Sequence, residues 1–332
     1  MRSKVMAAEN PSSPPPAAKR KSRAWRILRR LAVAAFALYI LVGIILFFLQ
    51  AMLIFPGAYV HRQDGAVRPS ADYQLLELPT ADGHQVAAVF GSALDRDGSA
   101  APDAARRPTL LFFYGNGDCI ATSMGLFDEF RRLGANVLIP EYVGYPLSPG
   151  TPSDHGCCDT ADAAYAYLSA RRDIDRRQIL VIGRSIGSGP AIDLASRRPV
   201  AGLVTISAFT SLDEMAHKVV PIYPTALVLR AHFNNCEKIG AVHCPILMMH
   251  GTADTFVPFA MMSRLSRCAT APVSLYSIDE ADHNSVFEVG GEKLLDRIDQ
   301  FIRDVGGAAL DGTAVDRAAA RKPLTLPSPG SP

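Results

Sequence analysis

The chain has 332 residues, 48% of them hydrophobic and 20% charged, with a net charge of +2. That length accommodates one α/β domain of roughly 250 residues with extensions at its ends. Nine Lys/Arg and one Glu up to Phe55 give +8, whereas 25 basic and 31 acidic residues beyond it give −6, so the larger part is mildly acidic. Such a surface excludes a nucleic-acid-binding domain.

Residues 1–18 are rich in Pro, Ser and Ala, and such a segment buries too little apolar surface to hold one conformation. Leu31 to Phe55 is a run of 25 residues with Gln50 as its only strongly polar side chain. As a helix it spans about 37 Å, enough to cross a hydrocarbon core of about 30 Å. Seven basic residues cluster directly before it (Lys19, Arg20, Lys21, Arg23, Arg26, Arg29, Arg30), and none follows until Arg62. The bias predicts a cytoplasmic N-terminus and the larger part of the chain on the extracytoplasmic (periplasmic) side. A cleaved signal peptide has a core of about 7–15 residues and an A-x-A-like end. This run is longer and closes on QAMLIFPG. The expectation is an uncleaved signal anchor over 31–55, behind a basic, Pro-rich tail over 1–30.

Beyond the anchor, Tyr73–Pro79 and His84–Gly91 read as a first pair of strands around the turn Ala81-Asp82-Gly83. Leu94 to Pro108 is polar and reads as a surface loop. Thr109–Gly115 (TLLFFYG) is a buried strand ending in the turn Gly115-Asn116-Gly117, and a helix over about Thr122–Gly134 leads to a strand at Asn136–Tyr142. The alternation continues: helix Thr160–Arg171, strand Ile179–Gly183, a helix after Ser185, and strands at Gly202–Ser207, Pro245–Gly251 and Val273–Ile278. A last helix covers about Val286–Val305. Strands alternating with helices predict a mainly parallel eight-stranded sheet with helices on both faces, and in such sheets function collects at the carboxyl ends of the strands. Residues 210–240 form a helical stretch without a clear strand and read as a small lid, part of a domain over 56–305. Residues 306–332 lose periodicity and read as a tail.

The most informative stretch is QILVIGRSIGSG, Gln178 to Gly189. A buried strand runs directly into G-x-S-x-G (Gly183, Ser185, Gly187) and then into a helix. Two glycines there let strand and helix approach closely while Ser185 sits exposed at a tight apex. The glycines do not fit G-x-G-x-x-G, and no Lys-Ser/Thr pair makes a phosphate-binding loop. A serine nucleophile needs a base to take its proton and an acid to hold that base in the right tautomer. Of the eight histidines, His283 alone follows every strand, in a loop before the last helix. Asp254, in HGTADTFVP three residues past a strand end, is the candidate acid, with Asp213, Asp279 and Asp282 as rivals. Backbone N–H groups of Ile186 and of Asn116 are the candidate donors to a substrate oxyanion. This chemistry needs no metal and no organic cofactor.

Six cysteines (119, 157, 158, 236, 244 and 268) lie beyond the anchor, where disulfides are allowed. Cys236 and Cys244 are close enough in sequence to pair; buried free thiols are the equal alternative.

The stretches LIFPG, YGNGD, PEYVGYPLSPGTPS, GRSIGSGPA, SAFTSL, CPILMMHGTADTFVP and ADHN, in that order from Leu53 to about Phe301, resemble the membrane-anchored serine hydrolases of the α/β-hydrolase superfamily. That branch holds protein depalmitoylases, lysophospholipid lipases and bacterial serine-peptidase-like relatives. The resemblance implies an α/β-hydrolase fold, Ser185, Asp254 and His283 as a triad, and Asn116 and Ile186 as oxyanion donors. The family commonly has His-Gly where this chain has Tyr114-Gly115. The expected activity is hydrolysis of carboxylic esters or thioesters of acyl or lipid-like small molecules through an acyl-enzyme, beside the membrane and without nucleic acid. Peptidase or amidase activity would use the same groups. A non-catalytic interaction protein is the third reading, against which the intact Ser, Asp and His argue.

Overall fold

The structure, a computed structural model, describes residues 23–59, 67 and 70–311. The expectations for residues 1–22 and 312–332 therefore lie outside the described residues. The chain divides into two compact units, Met1–Phe47 and Phe48–Pro332. The described part of the first belongs to helix α1 (Arg23–Ile54), which is long and apolar enough to cross a membrane.

The second unit is built on one sheet of eight strands: β1 (Gln74–Pro79), β2 (Gln85–Gly91), β3 (Thr109–Phe113), β4 (Asn136–Pro140), β5 (Ile179–Arg184), β6 (Gly202–Ile206), β7 (Ile246–Gly251) and β8 (Val273–Ile278). Their order is β1-β2-β4-β3-β5-β6-β7-β8. The pairs β1–β2 and β2–β4 are antiparallel and all the others parallel. Every residue of β3, β4, β6 and β7 is buried, as the unbroken apolar runs of a sheet covered on both sides require.

The helices of this unit are α2 (Ile120–Arg132), α3 (Asp154–Ala170), α4 (Ser188–Arg197), α5 (Leu212–Val219), α6 (Thr225–Val228), α7 (Asn235–Lys238), α8 (Ala260–Cys268) and α9 (Val286–Asp311). Side-chain alternation along the strands assigns their faces. Phe112 of β3 meets Phe130 of α2 edge-on at 5.2 Å. Phe113 points the other way and is in register with Gly183, whose missing side chain makes room for Ala191 of α4. Gly202, in register with Leu180 on the Phe112 face, packs against Phe301 of α9. Thus α2 and α9 cover one face and α4 the other.

Four features depart from the sequence reading. Helix α3 begins at Asp154, earlier than Thr160, because the Ser153 hydroxyl caps it by accepting from the Gly156 N–H at 2.9 Å. Helix α8 was not anticipated, and α9 runs past Val305 to Asp311 with a kink at Gly291. The fourth is the cysteine pairing. Cys236 of α7 is joined to Cys268 at the end of α8, their Cα atoms 5.3 Å apart, rather than to Cys244. The Cys244 thiol stays free, and burial pushes it up to about 12.

Candidate active site

Ser185 follows β5 with φ at +51°, a left-handed conformation that a serine rarely takes. The two flanking glycines make that turn possible. A Cβ on Gly183 would lie 2.5 Å from the Gly187 carbonyl oxygen, and one on Gly187 would lie 2.6 Å from the Tyr114 carbonyl oxygen. Only bare backbone fits between β3, β5 and the start of α4. The strained residue is thereby locked by its surroundings, the pattern seen where backbone strain serves a function. A single 3-10 turn, Ser185–Gly187, intervenes before α4, so the helix proper starts two residues later than Ile186. The Ser188 hydroxyl donates to the Ser185 carbonyl at 2.6 Å, and Asn235 of α7 reaches the Ser188 hydroxyl at 3.3 Å.

The Ser185 Oγ lies 2.8 Å from His283 Nε2, and His283 Nδ1 lies 2.7 Å from Asp254 Oδ2. Since an ionised carboxylate only accepts, Nδ1 carries the ring proton and Nε2 is free to accept from the serine. The loops after β7 and β8 are stitched together to hold this geometry. Ala253 N–H donates to the Ala281 carbonyl at 3.0 Å, Thr252 N–H to Ile278 at 2.9 Å, and Glu280 N–H to the Thr252 hydroxyl at 2.9 Å. A Cβ on Gly251 would collide with the Ala281 carbonyl, so that position too must be bare.

Burial alone would raise the Asp254 carboxyl, but hydrogen bonds from His250 and His283 and the Val257 N–H hold it well below the usual carboxylate range. His250 was not singled out in the sequence. Its Nε2 lies 2.9 Å from the Val257 carbonyl and 3.3 Å from Asp254 Oδ2, so the carbonyl fixes the proton on that nitrogen. The available signal was its position four residues before Asp254, next to last in a buried strand.

The rival carboxylates lie elsewhere. Asp282 Oδ1 accepts from the N–H groups of Asn284 and Ser285 and from the Ser285 hydroxyl, which turns it into the start of α9 and away from the ring. Asp213 sits in the first turn of α5. Asp279 makes no contact with His283 among the described residues.

The loop Gly115-Asn116-Gly117 passes close by, since a Cβ on Gly115 would be 3.8 Å from the Ser185 Cβ. Asn116 is tethered by its carbonyl, which accepts from Gly57 N–H at 2.9 Å and the Tyr145 hydroxyl at 3.0 Å, and by its side-chain amide, which donates to the Ile54 carbonyl at 3.1 Å. These contacts engage its carbonyl and side chain and not its backbone N–H. A second tie was also missed: Arg184, next to the serine, bridges to Asp118 at 2.9 Å and clamps the elbow to this loop. Behind the loop, Tyr114, Tyr142 and Tyr145 cluster with ring centroids 4.7 to 6.0 Å apart. Tyr114 occupies the position where a histidine is common, and its hydroxyl accepts from the Tyr142 N–H at 3.3 Å. Burial pushes the Glu141 carboxyl up to about 7 although it accepts from the Ile120 N–H.

Known proteins share this framework. A family model described as the alpha/beta hydrolase fold matches residues 108–229. An uncharacterized protein of Mycobacterium tuberculosis is 34% identical over 197 residues, covering 59% of this chain and 70% of that protein. Alpha/beta hydrolase domain-containing protein 17B of Homo sapiens is 31% identical over 199 residues, 58% of this chain and 66% of that protein. Among solved structures, a Pyrococcus furiosus esterase superposes with a TM-score of 0.59 at 18% identity, over 72% of this chain and 94% of the esterase. By sequence relatives, family match and fold alike, the chain belongs to the alpha/beta hydrolase fold family.

Proposed function

We propose that the chain is a serine hydrolase that cleaves carboxylic ester or thioester bonds of acyl substrates through an acyl-enzyme. What supports this most is the unbroken run of hydrogen bonds from Asp254 through His283 to a serine held at positive φ. Ser185 Oγ attacks the carbonyl carbon while His283 Nε2 takes its proton. The tetrahedral oxyanion is met by the N–H groups of Ile186 and Asn116. Collapse breaks the bond to the alcohol or thiol, which leaves with the proton from His283. Water, deprotonated by the same ring, then attacks the acyl-serine and regenerates the hydroxyl. Asp254 stays ionised throughout and stabilises the imidazolium. Every group is supplied by the chain itself.

In the same reading α1 is a signal anchor, with the N-terminus cytoplasmic and the rest of the chain across the membrane. A panel of matched ester, thioester and peptide substrates, assayed with wild type and Ser185→Ala, tests the activity. Turnover of esters or thioesters that falls by roughly 10³ or more in the variant is expected. Cleavage of the peptide alone, or turnover that survives the substitution, would overturn the assignment.

A further inference from the structure

The short helices between β6 and β7 carry an unusual outer surface. Within residues 219–228, Val219 is 71% exposed, Ile222 70%, Leu227 84% and Val228 40%. A soluble protein avoids grouping large apolar side chains at its surface in this way. Within the same compact unit this segment is tied to the one polar residue of the apolar run. Gln50, buried, donates through Nε2 to the Val228 carbonyl at 3.4 Å and accepts at Oε1 from the Arg230 N–H at 2.7 Å.

Helix arithmetic gives the depth of that junction. Gln50 lies 19 residues beyond Leu31, where the apolar run opens. At 1.5 Å per residue that is about 28 Å, close to the roughly 30 Å hydrocarbon thickness. Gln50 therefore reaches the far edge of the lipid core, and whatever its amide grips lies at the same interface. The apolar surface also continues toward the chemistry. Lys218, beside Val219, donates to the carbonyls of Thr255 and Phe256. The Phe256 ring, 52% exposed, lies 5.0 Å from the His283 ring.

We propose that Val219, Ile222, Leu227, Val228 and Phe256 form a second membrane contact, seated in the lipid interface where α1 emerges, from which Ser185 takes acyl substrate directly out of the bilayer. This rests on the anchored serine hydrolase reading above. The occupant is the lipid surface because the backbone of this segment, at Val228 and Arg230, is held by the amide of Gln50 at the end of the apolar run. Interfacial segments of this kind bury their apolar face about 5–10 Å into the headgroup and acyl boundary.

The test uses the full chain reconstituted in phosphatidylcholine vesicles whose acyl chains are brominated. Trp25 is the only tryptophan, so Trp25→Phe supplies a silent background for Leu227→Trp, with Arg172→Trp at the opposite end of the sheet as the control. Quenching of the Leu227→Trp emission by at least half, with the control unquenched, is expected. Equal quenching at the two positions would overturn the contact, as would extraction of the chain by alkaline carbonate, which removes the anchor as well. Ile222→Asp with Leu227→Asp should lower the ratio of turnover on a vesicle-borne long-chain ester to that on a soluble short ester at least tenfold; an equal fall on both would overturn it. Quenching needs no turnover. A quenched chain that hydrolyses neither ester therefore retains the contact and refutes the hydrolase alone.

Discussion

Asp254 receives two imidazoles, and only one of them touches the serine. In the proposed triad His250 acts through Asp254, its Nε2 3.3 Å from the carboxylate oxygen that also meets His283, which makes it a positioning residue. His250→Phe leaves that oxygen one donor short, a loss of about 1–3 kcal/mol for a buried acceptor. The expected effect is a drop of roughly tenfold or more in kcat with little change in KM, read from steady-state kinetics on an ester. Glu141 offers a separate test. Its carboxyl is raised from an ordinary 4.5 to about 7 by burial. The folded chain thus keeps a proton that the unfolded chain loses, and stability falls as pH rises between those two values, then stays low. The penalty above pH 7 is up to roughly 3 kcal/mol. Glu141→Gln should flatten this decline, so that thermal melts of the variant differ less between pH 5 and pH 8 than those of wild type. The meeting of Ser185 with His283 was legible because a motif and a position after the last strand each narrow the choice to one. His250, Arg184 and Asp118 were not, since a residue type carries no information on which way its side chain turns.

At the scale of elements, the elbow works because β3, β5 and α4 meet through glycine. Gly187→Ala places a methyl 2.6 Å from the Tyr114 carbonyl, and such overpacking typically costs about 1–3 kcal/mol. Ser185 must shift to relieve it, so activity should fall by more than the melting temperature alone would suggest; a soluble variant with wild-type turnover would contradict this. The link between α7 and α8 closes a span of 32 residues, worth about 3–4 kcal/mol through the unfolded chain. Cys236→Ser is therefore expected to lower the melting temperature under oxidising conditions and to change nothing once a reductant is present. The buried central strands could be read because they leave apolar runs that turn residues interrupt, and the less buried β1 and β8 because turn residues bound them. Helix α8 was harder, with only Met261, Met262 and Leu265 buried in nine residues, too few to establish a period. The partner of Cys236 was beyond reach for a related reason: Cys268 becomes its neighbour only once α8 packs beside α7.

For the whole molecule, charge divides the chain where its long apolar run ends, +8 up to Phe55 and −6 beyond. If the anchor is oriented as that bias dictates, protease added outside right-side-out vesicles should digest the part beyond residue 56 and spare the N-terminal tail. Protection of the larger part would reverse the topology without touching the chemistry. The chemistry is tested most directly by treating the full chain with a fluorophosphonate and mapping the adduct by mass spectrometry. One adduct on the peptide carrying Ser185, absent from Ser185→Ala and lost on prior denaturation, is the expected result. An adduct on another residue, or none where a control esterase is labelled, would contradict it.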